Sequence, residues 1–240
     1  MSNRFVFVAP AYNATKTIER MLMSVALQTY DNWLLLMRND MSTDGTSDAI
    51  WSIADHAGIS DKVIVVDNTE KLWEMRNVLE MIRDPLTKED DIICRLDADD
   101  FLTDLTALQD INLIYNQEKC DALWTAHRWA DTWQNISASM AEGADPYKHP
   151  WVSSHMKTFR RHLIDDVKEE NFMNQNGVYC QRTGDQYLYL PVLHNAKKRL
   201  YFPKVTYYYT IDMKPETFQT DDAKFQKSEM EFLRSRGFIS

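Results

Sequence analysis

Two aspartates, Asp97 and Asp99, stand two residues apart directly after the largely apolar segment 91–96. Side chains alternate between the two faces of a strand, so both carboxylates can point the same way while Ala98 points to the other face. Neighbouring carboxylates repel each other unless a cation or a hydrogen-bond donor stabilises them. A hard divalent ion, held by these carboxylates together with substrate phosphates, fits this pattern. Asp100, in contrast, is expected to cap the following turn.

The common signatures of other nucleotide and metal sites are missing from the sequence. Only six glycines occur and no two of them form Gly-x-Gly, which excludes the dinucleotide fingerprint and the Walker-type phosphate loop. Cys-x-x-Cys and His-Glu-x-x-His are absent, which argues against the common zinc sites. Gly-x-Ser-x-Gly, the nucleophile elbow of many esterases, is absent too. A bound nucleotide must therefore be held by something other than a glycine-rich loop.

Short apolar runs that alternate with helical patterns must position these aspartates. The expected strands cover 5–9, 33–37, 63–66, 91–96 and 122–126, and the expected helices lie at about 15–28, 46–56, 71–82 and 105–115. Strands and helices that alternate with short connections indicate a parallel sheet with helices on both faces. Such sheets bind ligands outside the carboxyl ends of their strands, so we expect the site in the polar segments after Ala9, Met37 and Leu96.

Composition and charge exclude several classes of protein. The formal net charge is −9, with 27 basic and 36 acidic residues, so we expect no nucleic-acid partner. No stretch reaches the roughly 18 apolar residues that a membrane span requires. The three cysteines, Cys94, Cys120 and Cys180, are odd in number and far apart, which argues against a disulfide framework. We therefore expect a soluble protein of a reducing compartment, in the cytoplasm or peripheral to a membrane.

The regular alternation of strands and helices ends at about residue 127. Several aromatic residues are spread among polar ones without clear periodicity: Trp124, Trp129, Trp133, Tyr147 and Trp151. Two interpretations stay open, a loop-rich subdomain with a small aromatic core or an aromatic-lined cleft for a sugar or acceptor. Further along, the sequence predicts a helix that starts near Asp185, strands at 199–202 and 205–211, and a polar helix at about 222–236.

Five short motifs occur in order within residues 5–105. They are Val6-Phe7-Val8-Ala9-Pro10-Ala11-Tyr12-Asn13, Ser24-Val25-Ala26-Leu27-Gln28-Thr29-Tyr30, Asn39-Asp40-Met41-Ser42-Thr43-Asp44-Gly45-Thr46, Met75-Arg76-Asn77 and Asp97-Ala98-Asp99-Asp100. Together they resemble the opening strand and loop, the Ser-x-x-x-Gln-Thr-Tyr helix end, the Asp-Asp-x-Ser-x-Asp-Gly-Thr loop, the Ala-Arg-Asn segment and the metal-binding Asp-x-Asp of family-2 glycosyltransferases. After residue 150 the likeness is thinner and rests on segments 154–156, 159–161 and 184–186.

This resemblance implies a fold and a domain organisation. The fold is α/β, of the GT-A type, with a Rossmann-like, mostly parallel sheet flanked by helices and a looser C-terminal acceptor-side region. The chain 1–240 would form a single domain. Residues 1–104 would bind the nucleotide sugar, and residues 105–240 would complete the sheet and bind the acceptor.

The resemblance also implies residues for the donor. The loop that contains Pro10 and Tyr12, together with Asp40 and Arg76, would hold the nucleotide base. Tyr12 would stack on the base, and Asp40 would accept a hydrogen bond from its imide. Asp97 would lie near the ribose.

The remaining implied roles concern the metal and the proton. Asp99 would bind Mn²⁺ or Mg²⁺, which bridges the diphosphate, and Asp185 would be the general base for the acceptor hydroxyl. The expected function is an inverting, metal-dependent glycosyltransferase that moves a sugar from a nucleotide-diphospho-sugar, most simply a UDP-sugar, to a glycan or other hydroxyl acceptor. Two alternatives stay open: a non-catalytic nucleotide-sugar or glycan-binding protein on the same fold, and a sugar nucleotidyltransferase.

The sequence departs from the family pattern at three places. Asn39 replaces the first aspartate of the base-binding loop, Gly184 replaces a glutamate before Asp185, and Thr103-Asp104 stands one residue early where Pro-Asp is common. Structural roles also stay open for single residues. Tyr12 could be a packed loop aromatic, Arg76 a surface charge and Asp185 a helix N-cap. His155 and His194 could be structural or could contact phosphate, metal or acceptor.

Overall fold

The computed structural model describes residues 2–130, 132–210 and 219–240. In these residues eight strands form one sheet in the order β3-β2-β1-β4-β7-β6-β8-β5. The strands are β1 Phe5–Ala11, β2 Trp33–Asn39, β3 Val63–Asp67, β4 Ile92–Arg95, β5 Phe101–Leu102, β6 Ala122–Trp129, β7 Lys157–Arg160 and β8 Arg199–Tyr209. The helices are α1 Ile18–Ala26, α2 Thr46–His56, α3 Trp73–Ile82, α4 Ala107–Glu118, α5 Gly184–Asn195 and α6 Asp221–Arg236.

The four strands β3, β2, β1 and β4 are parallel, as the alternation of strands and helices predicts. Side chains on β1 are buried on both faces of the sheet, because Phe5 and Phe7 pack into one apolar cluster and Val6 and Val8 into another. Helices α1, α2 and α4 cover the first face, and α3 and α5 cover the second. This arrangement confirms the α/β fold with a mostly parallel sheet flanked by helices.

The C-terminal half of the sheet differs from the simple expectation. Strand β7, which the sequence did not predict, lies antiparallel to both β4 and β6. The expected strands at 199–202 and 205–211 form one strand, β8, whose register against β6 shifts on either side of Ala126. Residue 211 itself lies outside the described residues.

The described helices include none that is both long enough and apolar enough to span a bilayer. Cys94, Cys120 and Cys180 are all buried with free thiols. Burial raises the pKa of each thiol, so none of them is an activated nucleophile in this structure.

Candidate active site

A cavity of about 460 Å³ lies at the carboxyl ends of β1, β2 and β4. We call it the strand-end cavity. Five residues that the sequence singled out line it: Pro10, Tyr12, Asp40, Asp97 and Asp99. They meet here because the carboxyl ends of neighbouring parallel strands share one edge of the sheet.

Two further cavities lie toward α5 and α6, and each shares lining residues with the cavity next to it. The junction cavity, of about 250 Å³, shares Glu74, Asp97 and Asp99 with the strand-end cavity and adds Asp185. The aromatic cavity, of about 320 Å³, shares Asp185 with the junction cavity. Its large ring side chains are those of Trp129, Trp151 and Tyr209. Asp185 therefore lies between the carboxylate pair and an aromatic surface.

The scattered aromatic residues divide between the core and a cavity, and the use of that cavity for a sugar or acceptor stays a prediction. Trp124 and Tyr147 are buried and belong to the apolar core. Trp129 and Trp151 line the aromatic cavity instead. Trp133 is 81 % exposed, with the guanidinium of Arg128 over its ring.

Asp40 is buried just after β2, and its carboxylate stabilises the start of α3. Oδ1 accepts hydrogen bonds from the Leu72 backbone N at 2.8 Å and from Asn68 Nδ2 at 2.8 Å. Oδ2 accepts one from the Trp73 backbone N at 3.0 Å and lies 3.2 Å from Lys71 Nζ. Burial alone would raise the pKa of Asp40, but the hydrogen bonds outweigh it and hold the pKa below its usual value. Its contact with a base stays a prediction.

Tyr12 follows β1 and is 55 % exposed. Lys71 Nζ lies 3.1 Å from the centroid of its ring, a cation–π contact that covers one face. The ring belongs to the cavity wall rather than to the core, so a packed loop aromatic does not describe it.

Arg76 is not brought to these cavities. It lies on the exposed side of α3, where Nε is 3.2 Å from Glu80 and Nη1 is 3.7 Å from Glu70. The adjacent residue Asn77 is fully buried and lines the strand-end cavity, as does Glu74 one turn earlier. On α3, the side chains that face the strand-end cavity are thus those of Glu74 and Asn77, whereas the family motif suggested Arg76.

Asp97 is held in place by a buried arginine at the end of β4. Arg95 Nη1 lies 2.5 Å from Asp97 Oδ1, and Arg95 Nη2 donates to Glu74 Oε1 at 2.5 Å. Burial disfavours the charged guanidinium, but the carboxylates of Asp97 and Glu74 outweigh it and hold the pKa of Arg95 above its usual value. Arg95 therefore stays cationic and fixes both carboxylates.

Asp99 faces both the strand-end and the junction cavity. Although Asp99 is an exposed residue, the cavity walls partly shield its carboxylate from water, and this shielding, together with the negative charge of Asp97, raises the pKa of Asp99 to about 6. A divalent cation between Asp97 and Asp99 would relieve this repulsion. Oxygen donors of this kind fit a hard ion such as Mg²⁺ or Mn²⁺.

A second group of possible ligand atoms lies beside this pair. Atoms of Asp97, Asp100 and His155 all lie within 4.8 Å of one another. Asp100, however, accepts hydrogen bonds from the Tyr207 hydroxyl and from the Thr210 backbone N, both at 2.7 Å, and so connects the loop after β4 to β8. This contact replaces the expected role of Asp100 as a turn cap. Burial lowers the pKa of His155 well below its usual value, so its ring is neutral and offers a lone pair.

Asp185 lies in the first turn of α5 and lines the junction and aromatic cavities. Its Oδ1 accepts a hydrogen bond from the adjacent backbone N of Gln186 at 2.8 Å, and the residue in the N-cap position is Thr183. Asp185 is therefore not the N-cap. Lys157 Nζ, which is fully buried on β7, lies 3.8 Å from Asp185 Oδ2.

Sequence reasoning did not identify several charged residues of this site. Arg95, Lys157 and Arg182 supply its positive charge, and Glu74 supplies a further carboxylate. Only the three-dimensional arrangement brings them to Asp97 and Asp185, since they come from four separate segments. His194 lies elsewhere, stacked on Phe238 at 4.0 Å between ring centroids, and has a packing role.

Comparison with solved structures shows that other proteins share this fold. The crystal structure of S. aureus TarS 1-349 is 18 % identical with a TM-score of 0.65, and the match covers 86 % of this chain and 60 % of that one. The same TarS segment in complex with UDP-GlcNAc is 17 % identical with a TM-score of 0.65, over 90 % of this chain and 61 % of that one. The mannosyltransferase PcManGT from Pyrobaculum calidifontis, in complex with GDP-Man and Mn²⁺, is 18 % identical with a TM-score of 0.65, over 90 % of this chain and 59 % of that one.

This chain thus spans about three fifths of the length of these structures. A comparison with curated proteins found no match. The sequence model described as Glycosyl transferase family 2 matches residues 6–168, more than half of the chain and all of the strand-end motifs. The chain therefore belongs to glycosyl transferase family 2.

Proposed function

We propose that the protein is an inverting, metal-dependent glycosyltransferase that moves a sugar from a nucleotide-diphospho-sugar to an acceptor hydroxyl. The observation that carries the proposal is that the junction cavity shares lining residues with both of the other cavities. Asp97 and Asp99 lie where the strand-end and junction cavities meet, and Asp185 lies where the junction and aromatic cavities meet. A donor on one side and an acceptor on the other would bring their reacting atoms together in the junction cavity.

Each residue has a distinct part in this reaction. Tyr12 presents an exposed ring on which a base stacks, beside the buried carboxylate of Asp40. Asp99, with Asp97, would hold Mn²⁺ or Mg²⁺. The bound ion supplies positive charge to the diphosphate leaving group. Arg182, at the same wall, adds a second positive charge for that group.

Asp185 removes the proton from the acceptor hydroxyl as its oxygen attacks. The attack comes from the aromatic cavity, opposite the diphosphate, so the anomeric centre is inverted in a single displacement. Lys157 Nζ, 3.8 Å from Asp185 Oδ2, holds the carboxylate at the junction of the two cavities. UDP is the nucleotide that we propose, the acceptor is a glycan or another hydroxyl compound, and the location is the cytoplasm or a membrane periphery.

A thermal-shift panel tests the donor site. UDP, GDP, dTDP, ADP and CMP are added with and without Mn²⁺ to the wild type, to Asp99→Ala and to Asp48→Ala, an exposed carboxylate on α2 outside the cavities. A nucleotide at about 100 times its Kd stabilises the fold by about 2.7 kcal/mol, or roughly 5–11 °C in Tm. We expect UDP with Mn²⁺ to give this shift in the wild type and in Asp48→Ala, and not in Asp99→Ala. If no nucleotide raises the Tm in the presence of metal, the donor site is wrong.

The same protein then serves to separate the alternative functions. A non-catalytic binding protein would give the thermal shift without releasing nucleotide when acceptors are added. A nucleotidyltransferase would form pyrophosphate from a nucleoside triphosphate and a sugar phosphate. We expect nucleoside diphosphate as the product, with the transferred sugar in the anomeric configuration opposite to that of the donor. A product of retained configuration would contradict the single displacement.

A further inference from the structure

Glu74 on α3 is the one carboxylate shared by the strand-end and junction cavities that neither the motifs nor the proposed mechanism uses. Its side chain is 30 % exposed. Oε1 accepts a hydrogen bond from Arg95 Nη2, which fixes the orientation of the carboxylate. Among the described residues no hydrogen bond to Oε2 is found, so half of the carboxylate is left for a ligand.

The position of Glu74 depends on the absence of a side chain at residue 184. A Cβ atom on Gly184 would lie 2.3 Å from Glu74 Oε1 and 2.6 Å from its Cδ, well inside van der Waals contact. The φ angle of Gly184 is not in the left-handed region, so backbone conformation does not require glycine here. Glycine is needed for space. The carboxylate of Glu74 thus lies directly over the first residue of α5, next to Asp185.

We infer that Glu74 accepts a hydrogen bond from a hydroxyl group of the transferred sugar and so selects the donor, with Gly184 providing the room for its carboxylate. This inference rests on the proposed function and deepens it. The transferred sugar has to lie between the diphosphate, at Asp97 and Asp99, and the acceptor oxygen, at Asp185. A residue that lines both the strand-end and the junction cavity lies beside that position, and Glu74 does.

The negative charge of Glu74 favours a sugar hydroxyl as its ligand over a phosphate group or a metal ion. A carboxylate repels a diphosphate, and Arg182, which lines both cavities as well, is the complementary group for phosphate. Glu74 is also not among the residues whose ligand atoms cluster for a metal ion, and one of its oxygens is already paired with Arg95. Hydroxyl groups are neutral donors, and a fixed carboxylate is a strong acceptor for them.

The test compares the affinity for a nucleoside diphosphate with the affinity for its sugar conjugates. Isothermal titration with Mn²⁺ gives Kd values for UDP, UDP-glucose, UDP-galactose, UDP-GlcNAc, GDP and GDP-mannose. The ratio of the diphosphate Kd to the sugar-conjugate Kd isolates the contribution of the sugar. For the sugar that the wild type prefers, Glu74→Ala should lower this ratio by about ten- to a hundredfold, as expected for a hydrogen bond to a charged group. The Kd of the diphosphate alone should stay within about threefold.

Two further variants test the geometry. Gly184→Ala should displace the flexible Glu74 side chain and cause the same selective loss, although residue 184 has no group of its own that recognises a sugar. Glu80→Ala is the matched control, since Glu80 lies on the same helix, pairs with Arg38 at 2.8 Å and lines neither cavity. It should leave the ratio unchanged.

The outcomes are distinguishable. If the wild type binds no nucleotide sugar, the proposed function fails. If it binds nucleotide sugars but Glu74→Ala or Gly184→Ala leaves the ratio unchanged, this inference is overturned and the proposed function stands. If Glu74→Ala weakens the diphosphate and its conjugates equally and lowers the Tm, Glu74 only positions Asp97 through Arg95, and the inference is again overturned.

Discussion

Replacement of Glu229 by alanine removes a buried carboxylate that holds the segment before α5. Glu229 lies on α6 and is fully buried. Its Oε1 accepts from Asn174 Nδ2 at 2.8 Å and from the Gln181 backbone N at 3.1 Å. Its Oε2 accepts from the Arg182 backbone N at 2.9 Å and from Cys180 Sγ at 3.2 Å. One side chain thus fixes the loop that leads to Asp185.

The expected loss in the free energy of unfolding follows from the buried hydrogen-bond donors that Glu229→Ala leaves without an acceptor. Two backbone N–H groups and one buried amide lose their acceptor, and each unsatisfied buried donor costs about 1–3 kcal/mol. Because the backbone groups are only partly buried, we take values toward the low end and expect a total loss of about 3–5 kcal/mol for the three donors. In a chain of this size that is roughly 6–20 °C in Tm.

Thermal denaturation measures the loss of stability in Glu229→Ala, and enzyme kinetics measures the loss of activity. The Tm of Glu229→Ala should fall as above, and kcat should fall at temperatures where the protein is still folded, because the loop no longer positions Asp185. The Kd of nucleotide should rise as well, because the same loop carries Gln181 and Arg182, which line the strand-end cavity. The control is Glu231→Ala, two residues along α6, where an exposed carboxylate lies 3.8 Å from Lys227. If the Tm of Glu229→Ala lies within about 2 °C of that control, the network does not stabilise the loop, and this reasoning is wrong.

Three further predictions use the same assays. Asp100→Ala leaves the buried Tyr207 hydroxyl without its acceptor and should lower the Tm by roughly 2–12 °C, whereas Asp99→Ala should not; equal Tm values would contradict this. Asp185→Asn should lower kcat by about 10²–10⁴-fold without changing nucleotide affinity, and a near-wild-type rate would exclude Asp185 as the base. Burial, helped by the charge of Lys157, lowers the pKa of His127 to about 4, so the unfolded chain binds a proton that the folded chain does not. His127 should therefore lower stability by up to about 1.4 kcal/mol per pH unit as the pH falls from 6.5 to 4, and His127→Gln should remove this part of the slope while the part due to His155 remains.

The parallel half of the sheet and its helices could be predicted because short, continuous stretches of sequence show the apolar patterns of each element. Strands β1 to β4 are continuous apolar runs, and α1 shows buried residues at helical spacing: Ile18, Met21, Leu22 and Val25. Strand β7 could not be predicted in this way. Its sequence, Lys-Thr-Phe-Arg, has no apolar alternation, and Lys157 and Thr158 are buried only because distant groups contact them. The two expected strands at 199–202 and 205–211 leave out residues 203 and 204, whereas β8 continues through these residues by shifting its register against β6.

The sequence could predict those residues of the candidate site that directly follow a strand of the sheet. Asp97 and Asp99 could be placed because they follow a buried strand, and Asp40 because it follows another. Arg76 shows the limit of this reasoning. A motif gives the residue types along α3 but not the side of the helix that faces the cavity, and the structure turns Asn77 and Glu74 inward and Arg76 outward. The phase of a helix is decided by its packing, which a motif does not contain.

Lys71 connects the two groups that were expected to bind the base. Its ammonium lies over the ring of Tyr12 and 3.2 Å from Asp40 Oδ2, so it occupies a stacking face and an acceptor position at once. A base that stacks on this face of Tyr12 and donates to Asp40 has to displace Lys71 from both. The ammonium then loses a cation–π contact and an ion pair, and an anionic group of the entering nucleotide would offset that loss. The diphosphate is such a partner, and a nucleoside without phosphates is not. If the proposed base site is correct, this geometry would couple phosphate recognition to base recognition through one side chain, and UDP should bind more tightly than uridine.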